Sequence, residues 1–205
     1  MARTRAADFE DKQRAILDSA ARVLSEQGGD KSSMAQIAAQ AGVSKALLYH
    51  YYPSRDALIF DIIRTHLVEL EVAIAAADRT DLPPRARLRK LVHAVLAAYR
   101  DADARHKVQL NGTPALPDAA QAEIHAIERR IVRRFSDVLR EVRPELAGKR
   151  PLLMPVTMSL FGMMNWVYMW FREGGPIGRS EYAELATDLI LSGIDGLEIA
   201  GDETR

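Results

Sequence analysis

The sequence contains no cysteine, which excludes disulfides, thiolate metal sites and a cysteine nucleophile. It also has no net charge, with 28 lysines and arginines set against 28 aspartates and glutamates. A nucleic-acid binder is often basic overall, so this balance counts mildly against DNA. Over residues 1–55 there are eight basic and six acidic residues, so any positive footprint is local and sequence-independent affinity modest. No stretch alternates apolar and polar residues for long, which argues against a half-buried strand. There is no glycine-rich phosphate loop, nucleophile elbow or paired metal-ligand spacing. The five histidines are scattered, and His93, His106 and His125 read as surface or satisfied core residues rather than ligands. No catalytic residue, metal or cofactor is therefore expected. The first residues hold arginines but no apolar leader, which points to the cytoplasm.

What is present is helix periodicity, over 205 residues that are 48% hydrophobic, so the chain is expected to be all-α. Residues 1–7 read as an arm carrying Arg3 and Arg5, either solvated or reaching a minor groove. Asp8 to Gln27 is predicted helical, with Phe9, Ile16, Ala20, Val23 and Leu24 on one face, stopped by Gly28-Gly29.

Ser33 to Leu58 organises the rest. Ser32 or Ser33 can cap a helix whose Ile37, Ala38 and Ala41 share one side. Gly42 suits a sharp exit in the left-handed conformation. Ser44 then caps a second helix that returns Leu48 and Tyr52 to the core. Lys45, Ala46, Leu47, Tyr49, His50 and Tyr51 lie on or near its outer face. Pro53 breaks that helix and Ser54 caps the next. This is the layout of a helix-turn-helix whose second helix enters a DNA major groove.

From Arg55 to about Ala77 a long helix connects this head to the remainder, and Asp78 to Pro84 is a polar loop. Further helices are predicted over Arg85–Asp103, Ala104–Asn111 and Asp118–Val142, with a loop from Gly112 to Pro117. Arg129, Arg130, Arg133 and Arg134 look like a second basic patch, but the acidic residues beside them favour an ordinary solvated face. Leu152 to Phe171 runs for twenty residues without a charge. Its length makes it a transmembrane candidate. Against that stand Thr157, Ser159, Asn165 and Pro155, and no second such segment exists, so burial by protein on both sides is preferred. Ser180 to Ile199 is the last helix, with Tyr182, Leu185, Leu189, Ile190, Ile194 and Leu197 as one stripe and Gly193 and Gly196 allowing close approach. The division expected is a three-helix head over 1–53 and a helical effector-binding and dimerisation body over 54–205.

The head resembles the TetR family of bacterial transcriptional repressors. The resemblance is carried by Ile37-Ala38, Ala41-Gly42-Val43-Ser44-Lys45, Leu48-Tyr49, Tyr52, Ser54-Arg55 and Leu58. It covers about a quarter of the chain. It implies a cytoplasmic homodimer, at the nucleoid when bound to double-stranded operator DNA, and not a membrane protein. The last two long helices would form a four-helix interface, and a small molecule inside the body would spread the heads and release the operator. Ser33 and Tyr49 match phosphate-contacting positions, Arg55 stands where a phosphate-binding lysine is usual, and Lys45, Leu47, His50 and Tyr51 occupy base-reading or flanking positions, with Ser44 at the helix cap. Ala46 replaces a frequent glycine. Leu47 either reads a thymine methyl or packs inward. Tyr49 is either a core aromatic or a phosphate contact.

More weakly, Phe161-Gly162-Met163-Met164-Asn165-Trp166 and the Gly174-Gly175-Pro176-Ile177 stretch resemble family members that sense acyl-CoA thioesters. A mostly apolar effector is the expectation, lined by Leu96, Tyr99, Met158, Phe161, Asn165 and Trp166, although each of these also reads as a core or interface residue. The alternative function is a dimeric helical scaffold that binds protein partners alone.

Overall fold

The computed structural model describes residues 2–27 and 32–199, with side chains from 12 to 26 and from 32 to 199. Ten α-helices and no strand occur among them. They fall into two compact units, one of residues 1–68 and 101–126 and the other of 69–100 and 127–205. The expected stop at Gly28-Gly29 and the side chains of Arg3, Arg5 and Phe9 lie outside the described residues.

In the first unit, α1 (Ala2–Gln27) begins six residues before the expected start at Asp8. Residues 2–7 hold three alanines and two arginines, strong helix formers with no breaker among them, so the backbone propagates back through the predicted arm. α1 packs on α2 (Met34–Gln40) and on α6 (Asp103–Gly112), while α3 (Lys45–Tyr51) packs on α2. The core joins Ile16, Ala20, Val23 and Leu24 of α1 to Ile37, Leu48 and, from the start of α4 (Arg55–Ala77), Leu58 and Ile62. The expected loop at Gly112 is instead the last turn of α6 followed by a 3₁₀ turn, Thr113–Ala115. A Cβ on Gly112 would stand 3.0 Å from the Ile59 side chain, so glycine here permits a close helix approach.

In the second unit, α5 (Pro84–Ala98) starts on a proline, which lacks only a donor that the first turn leaves unused. It ends before the predicted Asp103, because Asp101 adopts a left-handed φ of 60° that no helix interior accepts. α7 (Asp118–Val142) spans its predicted range and passes from the first unit into the second. Here Arg130 is engaged by Glu71, and Arg134 together with Arg87 grips the Asp78 carboxylate. Those bonds, from Arg87 first, hold Asp78 below the usual carboxylate range. Of the arginine row on α7, Arg130 and Arg134 are thus ion-paired, with carboxylates from outside the helix rather than with the acidic neighbours on it.

The uncharged run does not form one helix. α8 (Leu153–Asn165) stops at Trp166, and a single turn, α9 (Val167–Trp170), follows. No helix among the described residues is long and apolar enough to cross a membrane. The buried hydroxyl of Thr157 donates to the Leu153 carbonyl, which satisfies it inside an apolar core. α10 (Arg179–Asp195) packs along α5 and α8. It ends four residues short of Ile199, where Arg143 reaches the carbonyls of Ile194 and Leu197 and closes the last turn. Its buried face is Ala183, Ala186, Thr187, Leu191 and Ile194. Of the expected stripe, Ile194 is buried, whereas Leu185 and Leu189 point outward.

Candidate nucleic-acid interface and effector site

α2 and α3 are short helices held by their ends rather than by length, since seven residues cannot sustain a helix alone. The Ser33 hydroxyl accepts from the Gln36 backbone N–H at 3.2 Å, and the Gln36 side chain accepts from the Ser33 N–H at 2.8 Å. This reciprocal cap supplies partners for two donors at the start of α2. Gly42 then takes φ 65°, which lets the Val43 N–H return to the Ala38 carbonyl at 3.0 Å. Ser44 caps α3 through the Leu47 N–H at 3.1 Å, and Ser54 caps α4 through the Ala57 N–H.

α3 is fixed from its inner side. Leu48 and Tyr52 are buried, and the Tyr52 hydroxyl donates to Asp61 at 2.8 Å while accepting from Gln13 at 3.2 Å. Burial, reinforced by the Asp61 carboxylate, pushes the phenol well above its ordinary pKa, so it remains a donor. With that face anchored, Lys45, Ala46, Tyr49 and His50 are exposed, and Leu47 and Tyr51 are half-buried. Tyr49 is 43% exposed, which removes the core-aromatic reading. The Lys45 ammonium lies 5.8 Å from the Tyr49 ring centroid, an attraction that keeps both groups on one outer ridge. Arg55, at the start of α4, is half-buried, and its Nε and Nη2 are enclosed without a hydrogen-bond partner. The nine head residues expected from sequence therefore gather on the start of α2, on α3 with its cap, and on the start of α4. The ridge offers hydroxyl, ammonium, imidazole and guanidinium donors in one strip, the groups that engage phosphates and base edges.

The six residues expected to line an effector pocket separate into two sets. Leu96, Tyr99 and Phe161 are buried, the Tyr99 hydroxyl donates to the Asn165 side chain at 2.8 Å, and Phe161 meets Phe135 edge-to-face at 5.0 Å. Burial drives the Tyr99 phenol far above its ordinary pKa. Met158 and Trp166 are placed elsewhere, at 50% and 58% exposure, on the outer side of α8 with Met154. Helix rotation separates them: Phe161 and Met164 turn inward, whereas 154, 158 and 166 follow the opposite rows.

A cleft of about 390 Å³ opens beside the start of α10 and is lined by Lys90, His93, Ala94, Ala97, Arg100 and Arg179, among others. Sequence reasoning missed it. Its signal was a row at three- and four-residue spacing, Lys90-His93-Ala94-Ala97, on the face of α5 opposite the apolar stripe.

Residues 16–62 match the family model described as bacterial regulatory proteins, tetR family, and residues 81–194 match that of a tetracyclin repressor-like C-terminal domain. Over 87 residues the chain is 36% identical to the HTH-type transcriptional regulator BetI of Rhizobium meliloti (strain 1021). That alignment covers 42% of this chain and 43% of BetI, so the chain spans less than half the length of that relative. The fold is similar to a TetR-family transcriptional regulator from Bordetella parapertussis 12822, with a TM-score of 0.83 and 31% identity over 90% of this chain and 96% of that one. It is also similar to AibR, solved in complex with isovaleryl coenzyme A and operator DNA, with a TM-score of 0.76 and 23% identity over 87% and 97% of the two chains.

Proposed function

Because this chain belongs to the TetR family of transcriptional regulators, we propose that it is a repressor that binds a near-palindromic operator as a homodimer and is released by a small molecule. The head would be residues 1–53 and the effector and dimerisation body 54–205. The observation that carries the DNA half is the outward strip of α3, in which Lys45, Tyr49 and His50 face away from a helix anchored by Leu48 and Tyr52. Lys45 donates to guanine O6 and N7, His50 and Tyr51 flank it, and Leu47 with Ala46 offers apolar contact to a thymine methyl. Ser33, Tyr49, Arg55 and the Ser44-capped start of α3 hold phosphates and fix register. Arg55 supports this role by its place at the start of α4, where its half-buried side chain can turn its unpaired donors to a phosphate.

Dimerisation is supported by the outer faces of α8, α9 and α10. Met154, Met158, Trp166, Met169, Trp170, Leu185 and Leu189 are all exposed large apolar residues of the second unit. Gly162 and Gly193 face open space, so a partner backbone can approach closely at both. Exposed apolar surface of this extent marks an interaction site, and pairing two chains would place two recognition helices at half-sites one helical turn, or a multiple, apart. For the effector, AibR's complex with isovaleryl coenzyme A makes an acyl-CoA thioester the class to test first, with Leu96, Tyr99, Phe161 and Asn165 toward its apolar part.

The test is fluorescence anisotropy with the DNA upstream of the protein's own gene, over a range of salt. Lys45→Ala should relax preference at one base position, whereas Arg55→Ala should weaken all sequences alike and lower the salt slope by about one. An unchanged salt slope in Arg55→Ala would remove its phosphate role.

A further inference from the structure

Three observations in the second unit converge on the cleft beside α10. The first is charge: Lys90, Arg100 and Arg179 line it beside the His93 imidazole, and Ala77, Ala94 and Ala97 supply the apolar floor. Lys90 and Arg100 form no ion pair among the described residues, whereas two of the neighbouring carboxylates, Glu184 and Glu173, are already engaged. Glu184 is held by both His93 and Arg89, and Glu173 is held by Arg179. Glu181, in the first turn of α10, is not among the lining residues, so the charge of the lining itself is positive.

The second is an unmet donor. Arg179 is only 8% exposed, and its guanidinium stacks on the Phe171 ring at 4.7 Å. Nε donates to Glu173, but Nη1 is shut from solvent without a hydrogen-bond partner. An enclosed guanidinium donor with no acceptor is costly, and a small shift of this side chain toward the adjoining cleft would give it one. The third is the end of α10, a helix of 17 residues that begins at Arg179 and has no side-chain cap on its first N–H groups. Ser180, also in the cleft wall, is its second residue. Open N–H groups and the helix dipole favour negative charge at that point.

We propose that this cleft binds the anionic group of a small organic molecule, a carboxylate or a phosphate. Arg179 and the first turn of α10 grip the charged oxygens, Lys90 and Arg100 close over them, and the alanine floor takes a short apolar portion. A volume of about 390 Å³ suits a compact ligand rather than a long chain. The inference rests on the regulator reading, since it names the chemistry of an effector for the body. It differs from a purely apolar effector by requiring charge at the start of α10.

Calorimetric titration of the full chain, in a buffer free of both anions, tests it with inorganic phosphate, butyrate and neutral n-butanol. Millimolar or tighter binding of phosphate or butyrate, with n-butanol far weaker, is the expected result. Phosphate preferred over butyrate assigns a phosphate ligand, and the reverse a carboxylate. Arg179→Gln should weaken that binding about tenfold or more. Because that variant also loses the Phe171 stack at a buried position, at a cost to folding, exposed Lys90→Ala serves as the second, with an expected loss of several-fold. Absence of anion binding, equal binding of n-butanol, or undiminished affinity in folded Lys90→Ala would each overturn the site. A preparation that binds its upstream DNA but no anion overturns this proposal and leaves the regulator standing; anion binding without DNA binding does the reverse.

Discussion

His66 makes folding stability dependent on pH in a direction that its position fixes. It lies on α4 in the first unit, buried, with its ring 6.0 Å from that of buried His106. Burial disfavours the imidazolium, and the charges of His106 and Arg105 add to this, so its pKa is lowered to about 3. In the unfolded chain the value returns to about 6.5. The folded state therefore binds fewer protons than the unfolded one, so stability is fully present above the unfolded pKa and is lost as pH falls from about 6.5 toward about 3. At pH 5 the unfolded histidine has gained about 1.5 pK units of protonation free energy that the folded one has not, which amounts to about 2 kcal/mol. That is a large part of the ~5–15 kcal/mol that stabilises a typical domain.

The perturbation is His66→Gln, which keeps a polar side chain and removes the proton site. Urea unfolding followed by circular dichroism at pH 7 and pH 5 gives the four free energies needed. The wild type should lose about 2 kcal/mol more than the variant between the two pH values. Parallel losses in the two proteins, agreeing within about 0.5 kcal/mol, would refute the reasoning. So would an imidazole resonance of His66 titrating near its ordinary value in the folded protein.

Leu189→Glu places a carboxylate in the outward stripe of α10 and should shift the protein from dimer to monomer in analytical ultracentrifugation without loss of helical content. A sedimenting mass that stays at twice the chain would show that α10 does not carry the interface. Gly112→Val should cost about 1–3 kcal/mol in thermal or urea unfolding, because its Cβ would press the Ile59 side chain from 3.0 Å; an unchanged midpoint would mean that α6 can move away freely.

Much of the head was legible in the sequence because its determinants are local. The cap at Ser33, the left-handed Gly42, the cap at Ser44 and the inward pair Leu48 and Tyr52 depend on neighbours within a few positions, and each sits where its residue type predicted. α4 and α7 likewise kept their predicted limits, since long periodic segments with clear stops leave little for tertiary packing to alter. Where no stop signal stood, the reading slipped, as at residues 2–7.

The body was harder because its apolar residues serve two ends. Leu185 and Leu189 are as hydrophobic as Leu191 and Ile194, yet the first pair faces outward and the second pair inward. Periodicity identifies a stripe but not what covers it, and a helix with apolar groups on two sides offers two stripes to choose from. The same ambiguity placed Met158 and Trp166 with Tyr99 and Phe161, although rotation about α8 separates them. The cleft was invisible for a related reason: Arg179 and the Lys90-to-Arg100 row are far apart in sequence, and nothing local marks an arginine whose Nη1 lacks a partner.

By itself, then, the sequence determined the helical class, the helix-turn-helix and the family resemblance, all of which rest on short-range spacing and capping. Tertiary structure alone decided which apolar stripes are core, which are left for another surface, and which cations meet in one cleft. Those outcomes depend on how distant helices rotate against one another, and burial is a property of the packed pair, not of either helix alone.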